Sequence, residues 1–174
     1  DVVLKFPPLG DPEQISILCY SDATHASLPC GSSQGAFIIF LMGDNQVAPI
    51  WWKSKKLNRV TKSPLASETM AVNEAADSGF LVAMMVAEVF NLSKRPLVMC
   101  KTDCKSLIDA ISTTHVLQDT RLLVDVARLR EMVKLKEVSL EWVDGRHQLA
   151  DSLTKAGASR DNLLDVLEHS MIPC

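Results

Sequence analysis

Residues 15–22 run Ile-Ser-Ile-Leu-Cys-Tyr-Ser-Asp, a strand-like alternation that ends on a carboxylate. The next apolar stretch, residues 36–42 (AFIIFLM), is unbroken and predicts a strand buried on both faces. Gly43-Asp44-Asn45 is a hairpin signal, and a third strand follows over 47–53. Pro49 cannot donate to a ladder, which puts that strand on a sheet edge. Ser63-Pro64 opens a long helix over 65–90, broken by residues 91–96. Its second half is apolar nearly all round, which predicts a helix sandwiched between layers, with Met84 and Met85 filling core.

A fourth strand over 97–102 leads to Asp103, and a short helix covers 104–112. Residues 119–136 give the clearest amphipathic helix, with Asp119 as N-cap and a stripe of Leu122, Val126, Leu129 and Val133. Residues 138–143 alternate again as a fifth strand. A helix start at 148–155, ended by Gly157, and a last helix at 161–169 complete the chain. Residues 1–14, with three prolines, form an extended lead-in, and 15–174 form one domain. The order β-β-β-α-β-α-α-β-α implies an α/β fold with one mixed sheet and helices packed on it.

A hydrophobic fraction of 47% supplies a real core, and a net charge of −3 excludes a basic wrapper of nucleic acid, so any such contact needs a local basic patch. The five cysteines show no CxxC or finger spacing; they read as reduced and mostly packed, without zinc, which favours an intracellular setting in cytoplasm or nucleus. The longest apolar stretch, residues 79–87, is too short to span a bilayer, and no signal peptide stands at the start. A chain that begins without Met and ends abruptly is expected to be a piece of a longer polypeptide.

The chemistry lies in four acids. Asp22 and Asp103 end strand-like runs, Glu68 lies in the first turn of the long helix, and Asp151 stands at a helix start. Strand ends and helix starts can meet at one edge of a sheet. Carboxylates gathered there repel one another unless cations bind between them, and oxygen ligands suit hard divalent ions. Taken singly, each has a bland alternative as a cap, a turn or a residue opposing the helix dipole. Asp77, Asp109, Asp125 and Glu131, inside helices, read as solvated or paired faces.

Five local strings carry a resemblance. They are Tyr20-Ser21-Asp22-Ala23, Trp52-Lys53-Ser54-Lys55-Lys56, Ser67-Glu68-Thr69-Met70-Ala71, residues 102–108 (TDCKSLI) and residues 148–155 (QLADSLTK). In this order they resemble the ribonuclease H domains of copia-like retrotransposon polyproteins, the last string closely matching their QLADxxTK motif. Cys104 stands where relatives carry Asn, and Thr69-Met70 where they often show Ala-Glu.

The resemblance implies a ribonuclease H-like fold, a five-stranded mixed sheet in the order 3-2-1-4-5. It implies hydrolysis of the RNA strand of RNA/DNA hybrids with two Mg²⁺ ions, for which Mn²⁺ substitutes, giving 5′-phosphate products. In that picture Asp22 bridges both metals, Asp151 helps hold the ion that activates water, and Glu68 and Asp103 hold the ion facing the leaving 3′ oxygen. A covalently linked reverse transcriptase domain is the implied partner, with retroelement particles as a setting and no membrane. The alternative is a catalytically inactive ribonuclease H-like structural or nucleic-acid-binding module.

His147, four residues before Asp151, resembles in position the mobile histidine that many ribonucleases H carry before the last aspartate, though at a shorter spacing and although copia-like sequences often lack it. An exposed loop histidine is the competing reading. His25, close to Asp22 in sequence, could support that carboxylate from behind, but it is read first as a loop residue. The basic segment 53–62, with Lys53, Lys55, Lys56, Arg59 and Lys62, is the candidate for phosphate contact, against a merely solvated loop. Asn58, Thr61 and Ser67 could reach sugar hydroxyls. Between the 104–112 and 119–136 helices no insertion supplies a separate basic handle. Of the adjacent Trp51 and Trp52, one is expected in the core.

Overall fold

The computed structural model describes residues 3–113, 118–155 and 157–172, the side chain of Cys30 excepted. The expected linker without a basic insertion lies partly outside them, as do Ala156 and Cys174. The strands are β1 (Ser16–Leu28), β2 (Ser32–Gly43), β3 (Gln46–Lys56), β4 (Val98–Thr102) and β5 (Ser139–Trp142). The helices are α1 (Pro64–Val89), α2 (Lys105–Ser112), α3 (Thr120–Lys134), α4 (Asp151–Thr154) and α5 (Asp161–His169). All five strands form one sheet in the order β3-β2-β1-β4-β5, with β3 at an edge as Pro49 required. β1, β2 and β3 pair antiparallel, while β4 and β5 run parallel to β1.

Local chemistry explains the boundaries. Asp44 and Asn45 both take positive φ, 50° and 61°, the turn whose twist matches a β2–β3 hairpin. Ser63 caps α1 by accepting from the Ala66 N–H, with Pro64 behind it in the first turn. Asp119 caps α3 by accepting from the N–H groups of Arg121 and Leu122.

The first three strands run longer than the sequence pattern suggests, so Lys53, Lys55 and Lys56 belong to β3 rather than to a loop. The helix expected from 148 begins only at Asp151, after a 3-10 turn over Gly145–His147.

Alternation along the central strands splits the core. Ile17, Cys19, Phe37 and Ile39 face α1, α2 and α3, while Leu18, Tyr20, Ile38 and Phe40 face Leu149 and α5. β2 is buried on both faces as its unbroken apolar run implies. On α1, Gly79 permits close approach to the sheet: a Cβ there would stand 2.7 Å from Cys19 Sγ and 2.9 Å from Val98 Cγ1. Val126 and Leu129 of the α3 stripe are buried, joined by Met132, while Val133 is only partly covered.

Three packing expectations need correction. The second half of α1 is not sandwiched: Gly79, Val82, Ala83 and Val86 pack inward, but Leu81, Met84, Met85 and Val89 are exposed. With Ile50, Trp51 and Phe90, several of these line an open apolar groove of about 490 Å³. Met84 and Met85 are therefore surface residues and not core filling. Neither tryptophan of the pair is in the core: they stand opposite Ile39 and Ile38 on β3, the edge strand, where both remain exposed. Trp51 packs edge-on against Phe37 at 5.8 Å and Trp52 is 52% exposed.

By length and composition α1 as a whole could cross a membrane, although residues 79–87 alone could not. Its Ala- and Gly-lined inner face instead lies on the sheet. The lead-in packs on the β2–β3 hairpin: an added Cβ at Gly43 would stand 2.2 Å from the Leu9 carbonyl oxygen.

Candidate active site

Parallel pairing sets Tyr20 of β1 beside Lys101 of β4, so Asp22, two residues on, reaches the level of Asp103 just past the end of β4. Asp151 opens α4 and is brought over β1 by Gln148. Gln148 is buried, donates through Nε2 to the Ser21 carbonyl at 3.1 Å, and accepts from the Ala150 N–H at 3.2 Å. One carboxylate oxygen from each of Asp22, Asp103 and Asp151 lies within 4.8 Å of the others.

Glu68 stands outside that group of oxygens, on the first turns of α1, but faces the same charges. Its Oε2 is buried and has no hydrogen-bond partner among the described residues. Burial, reinforced by the charges of Asp22 and Asp103, pushes its carboxyl from 4.5 up to about 9, with an Ala23 backbone hydrogen bond and Lys155 opposing.

The Asp22 carboxyl is pushed up to about 6, first by burial, with Asp151 and Asp103 adding and Thr154 and Lys155 opposing. Asp103 is also raised, by burial and then by Asp151. A cluster whose acids resist ionisation is short of positive charge. Its donors are all carboxylate oxygens, and one is buried without a partner, so the residues fit a hard divalent cation.

The QLADxxTK string supplies more than its aspartate. Thr154 donates its hydroxyl to Asp22 Oδ2 and accepts through its carbonyl from Thr24 Oγ1 at 3.4 Å. The Lys155 ammonium contacts Asp151 Oδ1 and lies 3.6 Å from Asp22 Oδ1. Burial opposes the charge on Lys155, but its pKa is raised by the Asp151 hydrogen bond and the Asp22 charge. Gln148, Thr154 and Lys155 belong to the motif string, but the string alone gives them no role, because each role depends on what faces the side chain across the sheet.

His147 ends the 3-10 turn and donates its backbone N–H to the Asp144 carbonyl at 2.8 Å. Among the described residues its ring makes no hydrogen bond to the four acids. His25 lies on β1, not in a loop. Its Nδ1 stands 3.1 Å from Thr61 Oγ1 and 3.0 Å from Ser67 Oγ, in a network with Ser33.

That network corrects two of the binding candidates. Thr61 and Ser67 are 7% and 0% exposed, with hydroxyls committed to each other at 2.7 Å, so they are not presented to a ligand. The cations are also largely paired. Lys53 and Lys55 both reach Glu74 Oε1 at 2.8 Å, Arg59 pairs with Asp125, and Lys62 lies 3.6 Å from Asp119. Lys56, Asn58 and Lys62 remain exposed, and among the described residues Lys56 is the cation of this set without a carboxylate partner. Of the contrast acids, Asp77 pairs with Arg128 and Asp125 with Arg59, while Asp109 and Glu131 are exposed.

The strand order and the flanking helices are those of the ribonuclease H fold, which this chain adopts. No family model and no curated protein matches the sequence. Among solved structures it is similar to RNase H1 from the halophilic archaeon Halobacterium salinarum NRC-1, at 17% identity and a TM-score of 0.57, over 80% of this chain and 94% of that one. LC11-RNase H1, isolated from compost by a metagenomic approach, has been solved in complex with an RNA/DNA hybrid. It is 12% identical with a TM-score of 0.59, over 86% of this chain and 99% of that one. The foamy viral protease-reverse transcriptase in complex with an RNA/DNA hybrid is 13% identical with a TM-score of 0.52, over 88% of this chain and 21% of that larger one.

Proposed function

We propose that this chain is a metal-dependent endonuclease that hydrolyses the RNA strand of RNA/DNA hybrids, as the ribonuclease H domain of a copia-like retroelement reverse transcriptase. The observation that carries the reading is the convergence of Asp22, Asp103 and Asp151 within 4.8 Å, beside the partnerless buried oxygen of Glu68, on a ribonuclease H fold. The retroelement assignment rests on the five motif strings, and it implies a covalently linked reverse transcriptase domain as partner. Neighbours solved with RNA/DNA hybrids support the substrate class.

Under this reading Asp22, Glu68, Asp103 and Asp151 would hold Mg²⁺. Bound divalent ions lower the pKa of water and offset charge on the attacking and leaving oxygens of a phosphodiester. The residues of this chain do the rest. Gln148 fixes the segment that carries Asp151 to β1, and Thr154 orients the Asp22 carboxylate. Lys56, Asn58 and Lys62, exposed at the end of β3 and in the segment after it, offer backbone-phosphate and sugar contacts. His147 lends the cluster no hydrogen bond, and the reading gives it no step.

The test is cleavage of a labelled RNA/DNA hybrid with Mg²⁺, Mn²⁺ or EDTA. Wild type should cut the RNA strand with either metal and not with EDTA. Asp103→Asn should lower cleavage by about a hundred-fold or more while the fold stays intact. Cleavage by Asp103→Asn at the wild-type level refutes the assignment. A wild type that binds the hybrid without cutting it favours the inactive module instead.

A further inference from the structure

Four acids face one another at this site, and the chain itself brings them a cation. Lys155 follows the single turn of α4 and places its ammonium against Asp151 Oδ1 and 3.6 Å from Asp22 Oδ1. Its charge is also felt at Glu68 and Asp103. The side chain is 40% exposed, so solvent lies open on one side of it. Resting on the metal reading above, we propose that Lys155 is a tethered counter-ion: it neutralises the acidic cluster while no metal is bound, and it is displaced when a divalent cation takes the same oxygens.

The chemistry of the side chain supports exchange rather than coexistence. A lysine ammonium is a compact, strongly hydrated point charge on a flexible four-carbon stem, and no planar fork locks it to a carboxylate. Mg²⁺ draws carboxylate oxygens to about 2.0–2.1 Å and repels a neighbouring cation. Asp22 and Asp151 are members of the converging group, so metal and ammonium compete for the same donors. The rest state gains by this. Without Lys155 the converging carboxylates of Asp22, Asp103 and Asp151 would have no cationic side chain paired with them among the described residues. Hence the amine holds α4 down on β1 and makes metal loading an exchange of one cation for another.

Two measurements test this without reference to turnover. Calorimetric titration with MgCl₂ compares wild type, Lys155→Met and Lys155→Arg. Lys155→Met, which keeps the stem and loses the charge, should bind Mg²⁺ about ten-fold tighter or more, and should melt lower than wild type without metal. Lys155→Arg, which keeps the charge but adds the planar fork, should bind Mg²⁺ no tighter than wild type and melt no lower without metal. In the unmutated protein, acetylation of the Lys155 amine followed by mass spectrometry should rise on adding Mg²⁺, while that of the exposed Lys94 does not change.

Unchanged or weaker Mg²⁺ binding by Lys155→Met, in a wild type that does bind the ion, overturns the counter-ion role and leaves the metal site standing. Labelling of Lys155 that stays level or falls with Mg²⁺ overturns the displacement, even if Lys155→Met fails to fold. A wild type that takes up no Mg²⁺ overturns the metal reading and this proposal with it.

Discussion

Changing Glu68 to Gln isolates one buried charge in the acidic cluster. In the folded protein without metal its carboxyl sits at about 9, raised by burial and by Asp22 and Asp103. Ionising it at pH 7 therefore runs uphill by about 3 kcal/mol, on the order of a hundred-fold in an equilibrium. Asp22, at about 6, is already largely ionised there.

A divalent ion held by anionic Glu68 must expel that proton, so wild type should release about one proton per loaded site at pH 7. Its Mg²⁺ affinity should climb by up to about ten-fold per pH unit until pH 9 is approached. Glu68→Gln has no proton to give and should lose most of both effects. Titration calorimetry in buffers of different ionisation enthalpy counts the protons directly. Equal proton release and equal pH slope in wild type and Glu68→Gln would refute the reasoning.

Stability without metal carries the opposite sign. The native state keeps a proton on Glu68 that the unfolded chain, with its carboxyl at the ordinary 4.5, has shed. Unfolding then releases a proton, and the metal-free melting temperature should fall as pH rises from about 5 towards 9, less steeply in Glu68→Gln.

Two further variants probe other parts of the molecule. Replacing Lys55 and Lys56 by Ala should weaken hybrid binding and flatten its salt dependence by about one unit of slope, chiefly through Lys56, because Lys55 is held by Glu74; an unchanged slope in a binding titration removes this strand from the interface. Gly79→Ala should destabilise the fold by about 1–3 kcal/mol, since the new methyl meets Cys19 and Val98 inside normal contact distance, and a thermal melt at the wild-type temperature contradicts that packing.

Much of this protein was legible in the chain because the signals are local. Alternation at 15–22, the unbroken run at 36–42, the Asp44-Asn45 turn and the Ser63 and Asp119 caps each act within a few residues, and each leads to the observed element. Pro49 placed β3 at the edge for the same reason, as a missing donor is a property of one residue. The motif strings located Asp22, Asp103 and Asp151, which the parallel pairing of β1 with β4 and the start of α4 bring together, although β1 runs on past Asp22 to Leu28 rather than ending there.

Tertiary structure alone decided what each side chain faces. An apolar helix does not say which of its sides will be covered, so Met84 and Met85 could not be told from core residues. Thr61 and Ser67 read as reachable hydroxyls until His25 and Ser33, distant in sequence, closed a network around them. Lys53, Lys55 and Arg59 read as a free basic patch until Glu74 and Asp125 arrived from α1 and α3. The same holds for Lys155, whose meaning depends on Asp22, 133 positions earlier in the chain. Periodicity and capping are settled by neighbours along the backbone, whereas charge pairing and burial are settled by neighbours across space.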